Sequence, residues 1–261
     1  MLMAGKLSWA VITLVFSVLM LVALYLASKK IYVPQIREHA GIHAISEAIG
    51  RAAEMGRPVS FSPGTSSIYD AKYAGDTAAA LRILDHVARE AIKSGSKLIV
   101  GIAPPTVLPV AQAIVKTAYT AEGKAEEYVE GDTVRFYSPD QWGFASSYMG
   151  MMHRERVAAN FLFGGHAAEA LILAETGATV GAMQVSGSTN VYQLPMFIVS
   201  CDYTLIGEDQ LAAAAYLSPD PAQKGVVFGQ DLTKLISVAL IVIGALLATV
   251  GSKILSAFLR S

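Results

Sequence analysis

The chain has 261 residues, 53% of them hydrophobic and 16% charged, and its 20 Lys and Arg against 21 Asp and Glu leave a net charge of −1. Soluble domains carry about 25% charged residues, so part of this chain is expected in lipid, and the charge balance supplies no basic surface for nucleic acid. The single cysteine, Cys201, excludes an intramolecular disulfide and any CxxC metal knuckle.

Leu7 to Ala27 is a run of 21 residues without a formal charge, closed by Lys6 and by Lys29-Lys30. That is long enough to cross ~30 Å of hydrocarbon. Trp9 and Tyr25 stand near its ends, where amphipathic rings favour the interface. A cleaved signal peptide is the competing reading. Its apolar core would be about 7–15 residues long and followed by a small-x-small site, whereas here Leu24-Tyr25-Leu26 precedes the lysines. A transmembrane helix is therefore expected over 7–28.

A juxtamembrane helix is expected within 31–56, where Ile42, Ile45 and Ile49 repeat at three and four residues. His39, His43, Glu47 and Arg51 share another face. Histidines four apart can bind one metal, but no HExxH and no third ligand accompany them. The face is read as solvated, and no metal site is assigned.

Residues 57–217 alternate short apolar runs with helical periodicity. Val59 to Phe61 reads as a first strand, and the turn Ser62-Pro-Gly-Thr-Ser-Ser67 follows it. Asp76 is placed to cap a helix over Thr77 to Lys93 that Gly95 stops. Lys97 to Ala103 is a second strand, apolar throughout as a strand covered on both faces should be. Pro104-Pro105 leads into a helix over Val107 to Ala121, and Gly123 to Asp132 is an acidic loop or short helix. Thr133 to Tyr137 is a third strand, and Pro139 to Arg154 forms the next helix. Ala158 to Phe163, Gly164-Gly165 and Ala167 to Glu175 read as strand, tight turn and helix, ended by Gly177. Ala178 to Val185 is a fifth strand with a polar turn over Ser186 to Asn190, Met196 to Ser200 a sixth, and Gly207 to Leu217 the last helix.

Six strands alternating with helices demand parallel pairing and right-handed crossovers. The fold class expected is α/β: a three-layer Rossmann-like domain with a mostly parallel sheet of about six strands, flanked by N- and C-terminal transmembrane helices. Eight units would be needed for a barrel, and the length leaves no room for them. Ser218-Pro-Asp-Pro221 opens a linker over 218–234. Leu235 to Ser252 is a second uncharged run, of 18 residues, and a span over 235–258 works if Lys253 snorkels outward. A buried core helix is the competing reading for it. Lys29, Lys30, Arg37, Lys224 and Lys234 lie inside the pair of spans and Lys6, Lys253 and Arg260 outside. The positive-inside rule then puts the central domain in the cytoplasm of a two-pass cell-membrane protein.

Ligands of such sheets bind beyond the carboxyl ends of the strands. The residues expected there are Ser62, Gly64, Thr65, Gly164, Gly165, His166, Ser186, Gly187, Ser188, Thr189 and Asp202. Small and hydroxyl-bearing residues at helix starts suit a phosphate or carboxylate, and they equally suit plain turn chemistry. No two glycines stand two apart, so G-x-G-x-x-G cannot occur, and neither a Walker A loop nor a G-x-S-x-G elbow is present. His166, Ser186 or Ser188, and Asp202 could in principle form a triad, since each is placed after a strand. Cys201 reads as a small buried apolar residue rather than a nucleophile. No catalytic residue and no cofactor are assigned.

With GIAPPT at 101–106, FGGHAAEA at 163–170 and MQVSGSTNVYQLP at 183–195 between two terminal spans, the chain resembles a family of uncharacterised prokaryotic membrane proteins. That resemblance implies no catalytic residues. Two functions remain open: a membrane-anchored scaffold that self-associates through the second span and the α/β domain, or a binding domain or enzyme for a small anionic metabolite or nucleotide. The second span carries Gly244, Ala248 and Ser252 four apart, the small-residue spacing that lets helices approach closely in lipid.

Overall fold

The computed structural model describes residues 7–37 and 39–249. They form two compact units, one over 37–217 and one drawn from the two ends of the chain.

The 37–217 unit is α/β. After α2 (Ala40–Glu54) it runs β1 (Val59–Gly64), α3 (Ala74–Ser94), β2 (Leu98–Ile102), α4 (Leu108–Ala121), β3 (Val134–Phe136) and α5 (Gln141–Glu155). It continues with β4 (Ala159–Gly165), α6 (Glu169–Thr179), β5 (Met183–Ser188), α7 (Leu194–Ser200), β6 (Tyr203–Ile206) and α8 (Glu208–Leu217). The strands form one sheet in the order β3-β2-β1-β4-β5-β6, and every pair is parallel. Side-chain alternation then sends Val59, Phe61, Phe161 and Phe163 to the face covered by α2, α3, α4 and α8. Ile99 and Leu162 point to the face covered by α5, α6 and α7.

That second face is polar along the middle of the sheet. Ser60 Oγ and Tyr148 OH donate to Asn160 Oδ1 at 2.9 and 3.2 Å, and Asn160 Nδ2 donates to Gln184 Oε1 at 2.9 Å. Gln184 Nε2 closes the network on the carbonyls of Ala174 and Ser200. Buried polar groups of this kind are tolerated because each finds a partner. A Cβ on Gly177 would run into the Gln184 amide. This is why a glycine sits inside α6, which continues through it to Thr179 instead of ending there.

Three further elements differ from expectation. Met196–Ser200 lies in helix α7, and the sixth strand is Tyr203–Ile206. Pro195 stands in the first turn, where its missing N–H is harmless. Leu194 and Phe197 turn inward while Ile198 and Val199 are exposed, so the run is amphipathic at helical and not strand period. Gly164 and Gly165 belong to β4, and the chain turns only at His166 to Ala168. Asp76 is no cap. It lies within α3's first turn, 2% exposed, and the α3 N-cap position is Tyr73.

The terminal unit pairs α1 (Leu7–Ser28) with α9 (Pro221–Thr249). Most of the stretch expected as a linker over 218–234 is therefore helix. Asp220 accepts from Ala222 N at 2.9 Å and Pro221 occupies the first turn, so the Ser-Pro-Asp-Pro cluster is a helix start. Gly225 abuts Leu24 and Ala27, and Gly229 abuts Met20 and Ala23, so the helices run antiparallel along a glycine groove. Residues 250–258 of the expected second span, with Ser252, lie outside the described residues. Both helices are long and apolar enough to cross a membrane.

Candidate functional site

In the observed strand order the chain reverses direction across the sheet between β1 and β4. Helix α3, which follows β1, packs on one face, and α6, which follows β4, packs on the other. This is the topological switch point where such sheets open a crevice.

Glycines let the two strand ends meet. Gly64 has φ +94°, and a Cβ there would stand 2.6 Å from the Gly165 carbonyl oxygen. Gly164 has φ +88°, and its Cβ would strike the Pro63 carbonyl. Thr65 N and Ser66 N donate to the Gly165 carbonyl at 2.8 and 3.1 Å, and Ser66 Oγ does so at 3.0 Å. Gly64 N donates to Ser62 Oγ. Gly164 N donates to Gln210 Oε1 at 3.4 Å, and Gln210 Nε2 donates to the Asp76 carbonyl.

Two buried carboxylates close the crevice. Asp76 accepts from Thr189 N, from Thr189 Oγ1 at 2.8 Å and from Ser188 Oγ. Burial pushes its carboxyl above the ordinary carboxylate range, against the pull of those donors. Glu169, fully buried at the start of α6, accepts from Thr65 Oγ1 at 2.8 Å and Ala167 N at 2.9 Å on one oxygen, and from Gln141 Nε2 at 2.6 Å on the other. His166 lies 3.3 Å from Ser62 Oγ through Nε2 and meets the ring of Phe197 edge-on at 5.7 Å. Burial holds its imidazole below its ordinary value of 6.5, hence neutral at pH 7.

Of the residues expected at a site, Ser62, Gly64, Thr65, Gly164, Gly165, His166, Ser188 and Thr189 converge here. Ser186 and Gly187 do not form a turn, because β5 extends to Ser188. Ser186 Oγ ties to Thr204 Oγ1 at 3.1 Å, and Gly187 leaves room for Gln210 and Phe163. Asp202 lies before β6 and not after a strand. It accepts from Gln184 N at 2.7 Å at the opposite edge of the sheet, beside a hollow lined by Arg51, Met55 and Ser200. The arrangement of His166, Ser186 or Ser188, and Asp202 as a triad is thereby excluded. The Cys201 thiol is pushed up to about 11, chiefly by burial, so it is not a thiolate at neutral pH.

Sequence reading missed Asp76, Gln141, Glu169, Gln193 and Gln210. Gln141, Glu169 and Gln210 stand on helices, where an isolated polar residue reads as solvated, whereas Asp76 reads as a cap and Gln193 lies in the turn before α7. The only hint was position, since Asp76 and Glu169 begin helices that follow the two central strands. His166 Nδ1 and both amide atoms of Gln193 are buried without a hydrogen-bond partner among the described residues.

The Ser62–His166 pair has the spacing of a nucleophile and base, but Ser62 is fully buried and no group among the described residues orients the far ring nitrogen. What fold and crevice define is a Rossmann-like α/β protein with apolar helices at both ends and an internally bonded strand-end crevice. The chain belongs to the family described as Domain of unknown function (DUF6754), which matches residues 1–259. No curated protein and no solved structure matches it.

Proposed function

We propose that this protein is a membrane-anchored, self-associating α/β scaffold or interaction protein. The carrying observation is that the carboxylates and backbone N–H groups of the crevice are bonded to groups of the chain itself. All four oxygens of Asp76 and Glu169 accept from protein donors. The backbone N–H groups of Gly64, Thr65, Ser66, Gly164, Ala167, Thr189 and Asn190 are likewise spent inside the chain. An anion entering there would face two carboxyl groups, and no Lys or Arg is among the groups bonded to either. The prokaryotic cell-membrane setting rests on the two apolar helices and on the resemblance to membrane proteins of unknown role.

A thermal-shift screen of the detergent-solubilised chain with nucleotides and phosphorylated metabolites tests this reading. The scaffold predicts no shift. A dose-dependent rise in Tm, as native-state binding produces, would overturn it in favour of a metabolite site. Mass photometry in mild detergent tests self-association, and a single monomer peak at every concentration would refute it.

The unpartnered atoms of His166 and Gln193 favour a second reading, a site for a small ligand. Gln193 and Phe197 stand one helical turn apart, and Phe197 touches the His166 ring. A neutral imidazole and an amide offer donors and acceptors without charge, so this ligand would be neutral and polar. The same screen with small amides and sugars separates it from the anionic case.

A further inference from the structure

The terminal hairpin places two charged residues where its apolar partner helix is deepest. α1 is 22 residues long, and its midpoint falls between Ser17 and Val18. Its exposed rings Trp9 and Tyr25 bracket that midpoint and mark the two interfaces. Gly229 of α9 is level with Met20 and Ala23. Because the helices are antiparallel, Asp231 and Lys234 come two and five residues further along, opposite Phe16 to Leu19. At 1.5 Å per residue both lie within about 5 Å of the midpoint of α1. They bond each other, Lys234 Nζ to Asp231 Oδ1 at 3.1 Å, and their side chains are 47% and 65% exposed.

If α1 spans the bilayer, this ion pair sits at mid-depth on the outer surface of the hairpin. Charged side chains there are rare and face a protein interior or a water-filled cavity. A lysine stem covers well under half of a ~30 Å hydrocarbon layer, so snorkelling does not bring Lys234 to the interface. The exposed face therefore calls for a cover, and its charge pattern says which one. A helix carrying Asp and Lys three residues apart is complementary to its own copy about a two-fold axis along the membrane normal. Asp231 of one copy and Lys234 of the other differ in height by about 4.5 Å, within reach of a lysine side chain.

We propose that Asp231 and Lys234 form the intramembrane contact between two copies of this chain, each Asp231 meeting the other copy's Lys234. The proposal rests on the self-association reading above and names its interface.

The test is charge complementation with the full chain in phosphatidylcholine vesicles. Donor- and acceptor-labelled copies carry a dye at Glu127→Cys in a Cys201→Ser background, and energy transfer reports association. Asp231→Lys opposes lysine to lysine and Lys234→Asp opposes aspartate to aspartate, so each alone should weaken association at least tenfold. Mixing the two variants restores attraction at both contacts, and so does the double variant Asp231→Lys/Lys234→Asp. Both should recover wild-type transfer, and variants that merely misfold would not. Raising salt to about 1 M, where the Debye length is ~3 Å, should leave the wild-type signal unchanged. If wild type associates and the single variants associate equally well, or if neither mixture nor double swap restores a loss, the proposal is overturned while self-association stands. If wild type shows no transfer beyond random proximity, self-association itself fails and the proposal with it.

Discussion

Gly64 and Gly164 work as a pair at the switch point, each holding a positive φ so that the other strand's backbone can come within contact distance. Gly164→Ala should destabilise the detergent-solubilised chain by ~1–3 kcal/mol from backbone strain, and the clash with the Pro63 carbonyl adds to it. Gly181→Ala is the control. It has φ +73° but open space around it, so it should lose only the ~1–2 kcal/mol of a left-handed backbone, with no added clash. Equal losses in a denaturant titration would show that the close approach carries no weight. These glycines were legible in the sequence as turn signals, although the turn itself lies three residues later. The acids and glutamines that complete the crevice were not legible. A polar residue on a helix looks the same in one sequence whether it faces water or a strand end. Titration gives a second handle. Burial depresses the imidazoles of both His166 and His86 below 6.5, so the unfolded chain binds more protons than the folded one below that pH. Stability should be full above 6.5 and fall as pH drops through and below it. Asp76, raised above 3.8 by burial, acts in the opposite sense as pH falls towards its folded value. His86→Phe and His166→Phe should each flatten the decline in Tm below pH 6.5, and an unchanged slope in both would refute the assignment.

Periodicity located most of the elements because their burial matches their period. Residues Leu98–Ile102 are buried throughout, as a central parallel strand must be. It failed at α7 and at the start of α9 for one physical reason. The short apolar run 196–200 looks like a strand and the Ser-Pro-Asp-Pro cluster like a linker, yet Pro195 and Pro221 each stand in the first turn of a helix, the position that tolerates proline. For α9 the consequence is mechanical, since its first turns carry the glycines that dock against α1. The Cβ positions of Ala23 and Gly229 lie 3.3 Å apart, close to the ~3.5–4.5 Å spacing of a disulfide. Ala23→Cys/Gly229→Cys, in a Cys201→Ser background, should therefore cross-link on mild oxidation and shift on a non-reducing gel. Ala23→Cys/Leu232→Cys, three residues off the groove, should not. Cross-linking of both at equal rates would mean that the two helices slide past each other.

At the scale of the whole molecule, the antiparallel hairpin brings the chain into the terminal unit and out of it at the same end. Residues 37–217 leave α1 after Ser28 and re-enter α9 at Pro221, so a bilayer crossed by both helices has this whole unit on one side. Which side is an electrostatic question. Lys29, Lys30, Arg37 and Lys224 flank that end, against Lys6, Lys253 and Arg260 at the other. Placing Lys234 at mid-depth removes it from the count without changing its sign, and positively charged flanks stay on the cytoplasmic side. The expected topology is both chain ends outside and the α/β unit, residues 37–217, facing the cytoplasm. Glu127 reports on it, because it is exposed in the α/β unit and far in sequence from either helix. Glu127→Cys, again with Cys201→Ser, should resist a membrane-impermeant maleimide in intact cells and react once the cells are permeabilised. Labelling of intact cells would reverse the topology.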